Sequence, residues 1–95
     1  MNGSQVKKRV EIKITGAVQG VFFRQGVKEK ADELGLAGWA RNEPDGSVKI
    51  VAEGEEGGLK KLVEWVKLGT KFSRIDKVKV EWEEAKGGLL GFEIT

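Results

Sequence analysis

Between Val10 and Leu34 the apolar residues change their spacing, and two glycines mark the change. Val10, Ile12 and Ile14 alternate with Arg9, Glu11, Lys13 and Thr15, the pattern of a strand with one buried face. Past Gly16 and Gly20, the residues Phe23, Val27, Ala31 and Leu34 recur at helical spacing, and Gly35 stands where such a helix would end. One element cannot carry both a strand period and a helical period. This stretch is therefore a strand, a loop and a helix whose apolar faces must find each other.

The rest of the chain repeats the alternation. The segment "GWARNEPDGSVKIVAEG" reads as a hairpin, with a strand at Trp39–Asn42, a reversal at Glu43-Pro44-Asp45-Gly46, and Val48, Ile50 and Ala52 on one face of the return strand. Leu59, Leu62, Val63 and Val66 mark a second amphipathic helix stopped at Gly69. Val78, Val80 and Trp82 mark a fourth strand, and Leu90, Phe92 and Ile94 a short last one after a turn at Gly87-Gly88. The order β-α-β-β-α-β with an added terminal strand predicts an α+β, ferredoxin-like sandwich. It would have an antiparallel sheet of four to five strands and both helices on one face. A chain of 95 residues supports one core, so residues 1–5 are expected to be a loose polar tail and residues 6–95 a single domain.

Composition narrows the chemistry. There is no cysteine and no histidine, which removes disulfides, thiolate nucleophiles, imidazole metal sites and the commonest general acid or base. Hydrophobic content of 39%, charged content of 34% and a net charge of +2 fit a soluble globular chain with no strong call on nucleic acid. No apolar run reaches membrane-spanning length, and the start carries no signal-peptide pattern. A cytoplasmic protein is expected, for which the Asn2-Gly3-Ser4 match to a glycosylation acceptor carries no weight. One Met, only Asn2 and Asn42 as asparagines, and many Lys and Glu lean toward a heat-adapted source.

The loop itself suggests an anion. Gly16 and Gly20 lack the Cβ that would block converging backbone N–H groups, and a helix start near Phe23 adds unpaired donors and the positive end of its dipole. Arg24 supplies a planar fork for two phosphate oxygens. The same glycines would equally serve a plain turn, and Arg24 a plain surface charge. Asn42, at a strand end before a turn, is either an ordinary turn former or an amide able to hold a water. Glu43, Asp45, Glu55 and Glu56 read as turn and helix-start residues.

On these residues the chain resembles the acylphosphatase family. In "ITGAVQGVFFR", Gly16, Val18, Gln19, Gly20, Val21, Phe23 and Arg24 fall on the family pattern; in the second segment so do Gly38, Trp39, Asn42, Gly46, Val48 and Gly54. The likeness runs from about Val10 to Ile94. It implies a small monomeric hydrolase of the carboxyl-phosphate bond, acting on a small-molecule acyl phosphate without metal or cofactor. It further implies that the backbone of Ala17, Val18, Gln19, Gly20 and Val21 cradles the phosphate, that Arg24 binds the phosphoryl oxygens, and that Asn42 orients the attacking water.

Two departures stand out. Gly69-Thr70-Lys71-Phe72 replaces a Gly-Pro common in the family and is expected to alter a connection only. Phe22 stands where microbial members commonly have glycine, a variant that itself occurs in the family, and is expected to change access to the cradle and therefore substrate preference. Two other readings compete: an RNA-binding domain of similar topology, which lacks its aromatic signature here, and a non-hydrolytic acylphosphatase-like module.

Overall fold

The computed structural model describes residues 6–95; the expected polar tail at residues 1–5 lies outside the described residues. The elements run β1 (Lys7–Ala17), α1 (Phe23–Glu33), β2 (Ala37–Asn42), β3 (Val48–Glu55), α2 (Glu56–Leu68), β4 (Arg74–Glu84) and β5 (Phe92–Ile94). They form one five-stranded sheet in the order β4-β1-β3-β2-β5. Val10, Ile12, Ile14, Val48, Ile50 and Ala52 are all buried, and the helices lay Phe23, Val27, Ala31, Leu59, Leu62 and Val66 onto that face. Alternation in the strands and helical spacing in the helices thus meet in one core. Phe23 stacks on Trp65 with ring centroids 6.0 Å apart, locking α1 against α2.

The sheet is mixed rather than antiparallel throughout. β1 pairs antiparallel with β3 and β4, and β2 with β3, but β5 runs parallel to β2. The direction follows from topology. β4 ends opposite Lys8, at the end of the sheet where β2 begins, so a chain crossing to the far edge must run alongside β2 in the same sense. Leu90 falls outside β5 and is fully exposed. β5 starts opposite Gly38, one residue into β2, so no strand remains for Leu90 to pair with.

Glu53 secures that crossing. Its carboxylate accepts the N–H groups of Lys86 (2.8 Å) and Gly87 (3.0 Å) and an Arg9 guanidinium N–H at 2.9 Å. Burial pushes Glu53 up, but the Lys86 N–H, Arg9 and the Gly87 N–H outweigh it and hold the carboxyl below its ordinary value.

Candidate active site

At one end of the sheet lie the end of β1, the start of α1, the end of β2, the start of β3 and the end of β5. The β1–α1 loop, residues 18–22, is anchored by the buried Val18. Gly20 takes φ 76°, a conformation a side chain would strain. Gly16 does something else. It lies within β1, at a break in register against β4, where an added Cβ would run into the Arg74 carbonyl oxygen. Of the two glycines read from the sequence as loop formers, only Gly20 serves the loop; Gly16 lets β4 approach. Ala17 closes β1 opposite Arg74 and so forms the base of the loop.

α1 begins with little side-chain help. Its N-cap, Phe22, offers no side-chain acceptor, and its first turn holds no acid, so no cap or acidic side chain competes for the unpaired N–H donors of a helix start. Arg24 stands in that first turn, half-buried, and its guanidinium donates to the Thr95 backbone oxygen at 3.1 Å. Val18, Gly20, Phe22, Phe23, Arg24, Gln25 and Ile94 surround a depression of about 390 Å³.

Asn42 ends β2 at the same end of the sheet but does not line that depression. Its Oδ1 is buried without a hydrogen-bond partner in the protein, an arrangement that costs stability unless a ligand or water completes it. What joins the loop to this strand end is the Gln19 side chain, whose Nε2 donates to the carbonyls of Glu43 (2.8 Å) and Ser47 (2.9 Å). Sequence reasoning valued only the Gln19 backbone. A loop glutamine gives no sign in sequence of which carbonyls it will reach.

Those carbonyls are themselves held within the turn, Glu43 accepting the Gly46 N–H at 3.1 Å and Ser47 the Glu43 N–H at 2.8 Å. The Asp45 carboxylate accepts the Ser47 hydroxyl and backbone N–H and pairs with Lys13 at 2.9 Å. The Ser47 hydroxyl, then Lys13, then the Ser47 N–H keep Asp45 well below the usual carboxylate range. Glu43 pairs with Arg41 at 2.7 Å, while Glu55 stands at the N-cap position of α2 without a side-chain hydrogen bond to it and Glu56 opens the helix, so these acids lie at the turn and helix start expected of them. Among the described residues, no three His, Cys, Asp or Glu gather as a metal site would require. A second depression, about 270 Å³ on the open face of the sheet, sets Glu11, Glu43 and Glu81 against Lys13, Lys49 and Lys79. Its charges cancel, and it offers no helix start.

A two-helix α+β sandwich in this element order, with an uncapped helix start at the β1–α1 loop, has the architecture of a small ferredoxin-like domain. Comparison with known proteins makes the assignment specific. The acylphosphatase family profile matches residues 10–94. An acylphosphatase of Rubrobacter xylanophilus is 47% identical over 94 residues, covering 99% of this chain and 86% of that protein. One of Caldanaerobacter subterraneus is 46% identical over 89 residues, covering 94% of this chain and 99% of that protein. The crystal structure of acylphosphatase from Bacillus subtilis superposes with a TM-score of 0.89 at 41% identity, covering 93% of this chain and 98% of that one. The chain belongs to the acylphosphatase family, and hydrolysis of acyl phosphates is its activity.

Proposed function

We propose that the loop backbone from Ala17 to Val21 and the first turn of α1 hold the phosphoryl group, that Arg24 binds its oxygens, and that Asn42 orients the attacking water. The observation that carries this reading is the unpartnered, buried Oδ1 of Asn42. It stands on the strand end that Gln19 ties to the loop. A water donating one hydrogen to that oxygen keeps a lone pair free to face phosphorus. On binding, phosphoryl oxygens replace the Thr95 backbone oxygen as partners of Arg24, whose fork can meet two of them at once.

The chemistry suits a site without histidine. Water adds to phosphorus, the bond to the acyl oxygen breaks, and the leaving group departs as a carboxylate that needs no proton. The proton of the water passes to a phosphoryl oxygen, leaving a carboxylate and inorganic phosphate. A loose transition state of this kind asks for position and charge stabilisation more than covalent help. N–H donors and one guanidinium supply both, so metal and cofactor have no assigned part.

We further read the chain as acting on a small-molecule substrate as a cytoplasmic monomer. No helix among the described residues is long and apolar enough to cross a membrane. The nucleic-acid reading has little support on the open sheet face, where the Trp39 ring carries Arg41 at 4.7 Å and Lys49 at 6.0 Å, and is not free for a base to stack.

The test is benzoyl phosphate hydrolysis in EDTA by the wild type, Arg24→Ala and Asn42→Ala, each checked for folding. Turnover by the wild type is expected to survive the chelator. Loss of Asn42 is expected to cost roughly 10²–10³-fold in rate, as for a lost oxyanion contact, and loss of Arg24 more. Folded variants that keep full activity would refute these roles.

A further inference from the structure

Phe22 is unfavourable by every local measure. It is the one non-glycine among the described residues with a positive φ (59°, ψ 25°), a conformation that is strained for a bulky side chain. It occupies the N-cap of α1 without any acceptor to offer, and its carbonyl takes the first helical hydrogen bond from Gly26 at 3.2 Å. Its ring gains nothing from the core, being 86% exposed, while the adjacent Phe23 is buried. The left-handed turn is what separates the two rings. One goes inward onto Trp65, and the other stands at the rim of the depression that Arg24 and Gly20 line. Ile94, at the end of β5 and 36% exposed, supplies a second apolar surface to the same depression.

An acyl phosphate has a charged head and an acyl tail of variable polarity. With the head held at the loop and Arg24, the tail must leave the depression across its rim, and the apolar groups there are Phe22 and Ile94. We propose that these two side chains form the acyl-recognition edge of the site, favouring substrates with a flat apolar acyl group over those with a small one. The proposal deepens the phosphate reading of the loop and rests on it. An exposed ring at an open rim covers only part of a ligand, so the preference is modest in size, on the scale of the apolar surface it removes from water.

The experiment compares kcat/KM for benzoyl phosphate and acetyl phosphate in the wild type, Phe22→Gly, Phe22→Asn and Ile94→Ala. Glycine and asparagine both accept the left-handed conformation, so the two Phe22 variants remove the ring while keeping the turn; circular dichroism confirms folding. The benzoyl-to-acetyl ratio is expected to fall about three- to tenfold in each variant, the scale of a partly covered apolar contact. A ratio equal to that of the wild type in the folded variants would overturn the acyl edge. So would an equal loss on both substrates, which would mean that the ring shapes the loop instead. A wild type that hydrolyses neither compound would refute the phosphate reading and this proposal together, which keeps the two failures apart.

Discussion

Gln19 shows how one side chain can matter more than its type suggests. Among the described residues, two side-chain hydrogen bonds, to the Glu43 and Ser47 carbonyls, bind the loop to the turn following Asn42. Each is worth about 1 kcal/mol net, and without them the two carbonyls keep the Gly46 and Glu43 N–H groups as partners. The larger effect belongs to position, since small misplacements of a catalytic group can cost up to roughly 10²-fold. Gln19→Ala is expected to lower kcat/KM at least about tenfold and to weaken inhibition by inorganic phosphate, with a stability loss of only about 1–2 kcal/mol. Denaturant titration beside inhibition kinetics separates the two. A stability loss with kinetics unchanged would reduce Gln19 to a structural tie. Nothing in the sequence distinguishes this glutamine from a solvated one, because its partners are backbone carbonyls 24 and 28 positions away.

Among the elements, β1 determines where the loop begins. Lys8 to Ile14 pair on both sides, with β3 and with β4, and the register against β4 breaks between Thr15 and Gly16. That break lets β4 press against Gly16, and pairing continues through Ala17 to the base of the loop. Gly16→Ala is expected to destabilise the fold by at least about 2 kcal/mol, because the added Cβ meets the Arg74 carbonyl and the φ of 143° is strained for alanine. Gly20→Ala has open space around its Cβ and carries only the conformational penalty, about 1 kcal/mol. Equilibrium unfolding of the two variants tests the order; equal losses would contradict it. The glycines were legible in the sequence as breaks in a strand. Which one faced a neighbouring strand was not, because a steric collision needs the partner's coordinates.

For the whole molecule, the crossing from β4 to β5 decides whether the site is complete. It brings Ile94 to the depression and Thr95 to Arg24, and Glu53 fastens its start from the far end of β3. Because Glu53 is held below its ordinary value of 4.5, its contribution is fully present above that value and is lost as pH falls through the folded one. A glutamine there accepts at one oxygen only and presents N–H groups to other donors. Glu53→Gln is therefore expected to cost about 2 kcal/mol at neutral pH, with the gap to the wild type closing as pH drops below about 4.5. Thermal melts across that range check it. A gap constant with pH would mean that the carboxylate charge does not hold the crossing.

The sequence by itself determined the elements, their order and which faces they bury, because the spacing of Val10, Ile12 and Ile14, and of Phe23, Val27 and Ala31, is a local property with only one economical burial. It also brought Arg24, Asn42 and the loop to notice through their glycines and their residue types. The parallel course of β5, the exclusion of Leu90, the division of labour between Gly16 and Gly20, and the ties made by Gln19 and Glu53 were decided only in the folded chain. Each depends on contacts between residues far apart in sequence, and such contacts exist only once the sheet has brought its strands to one end.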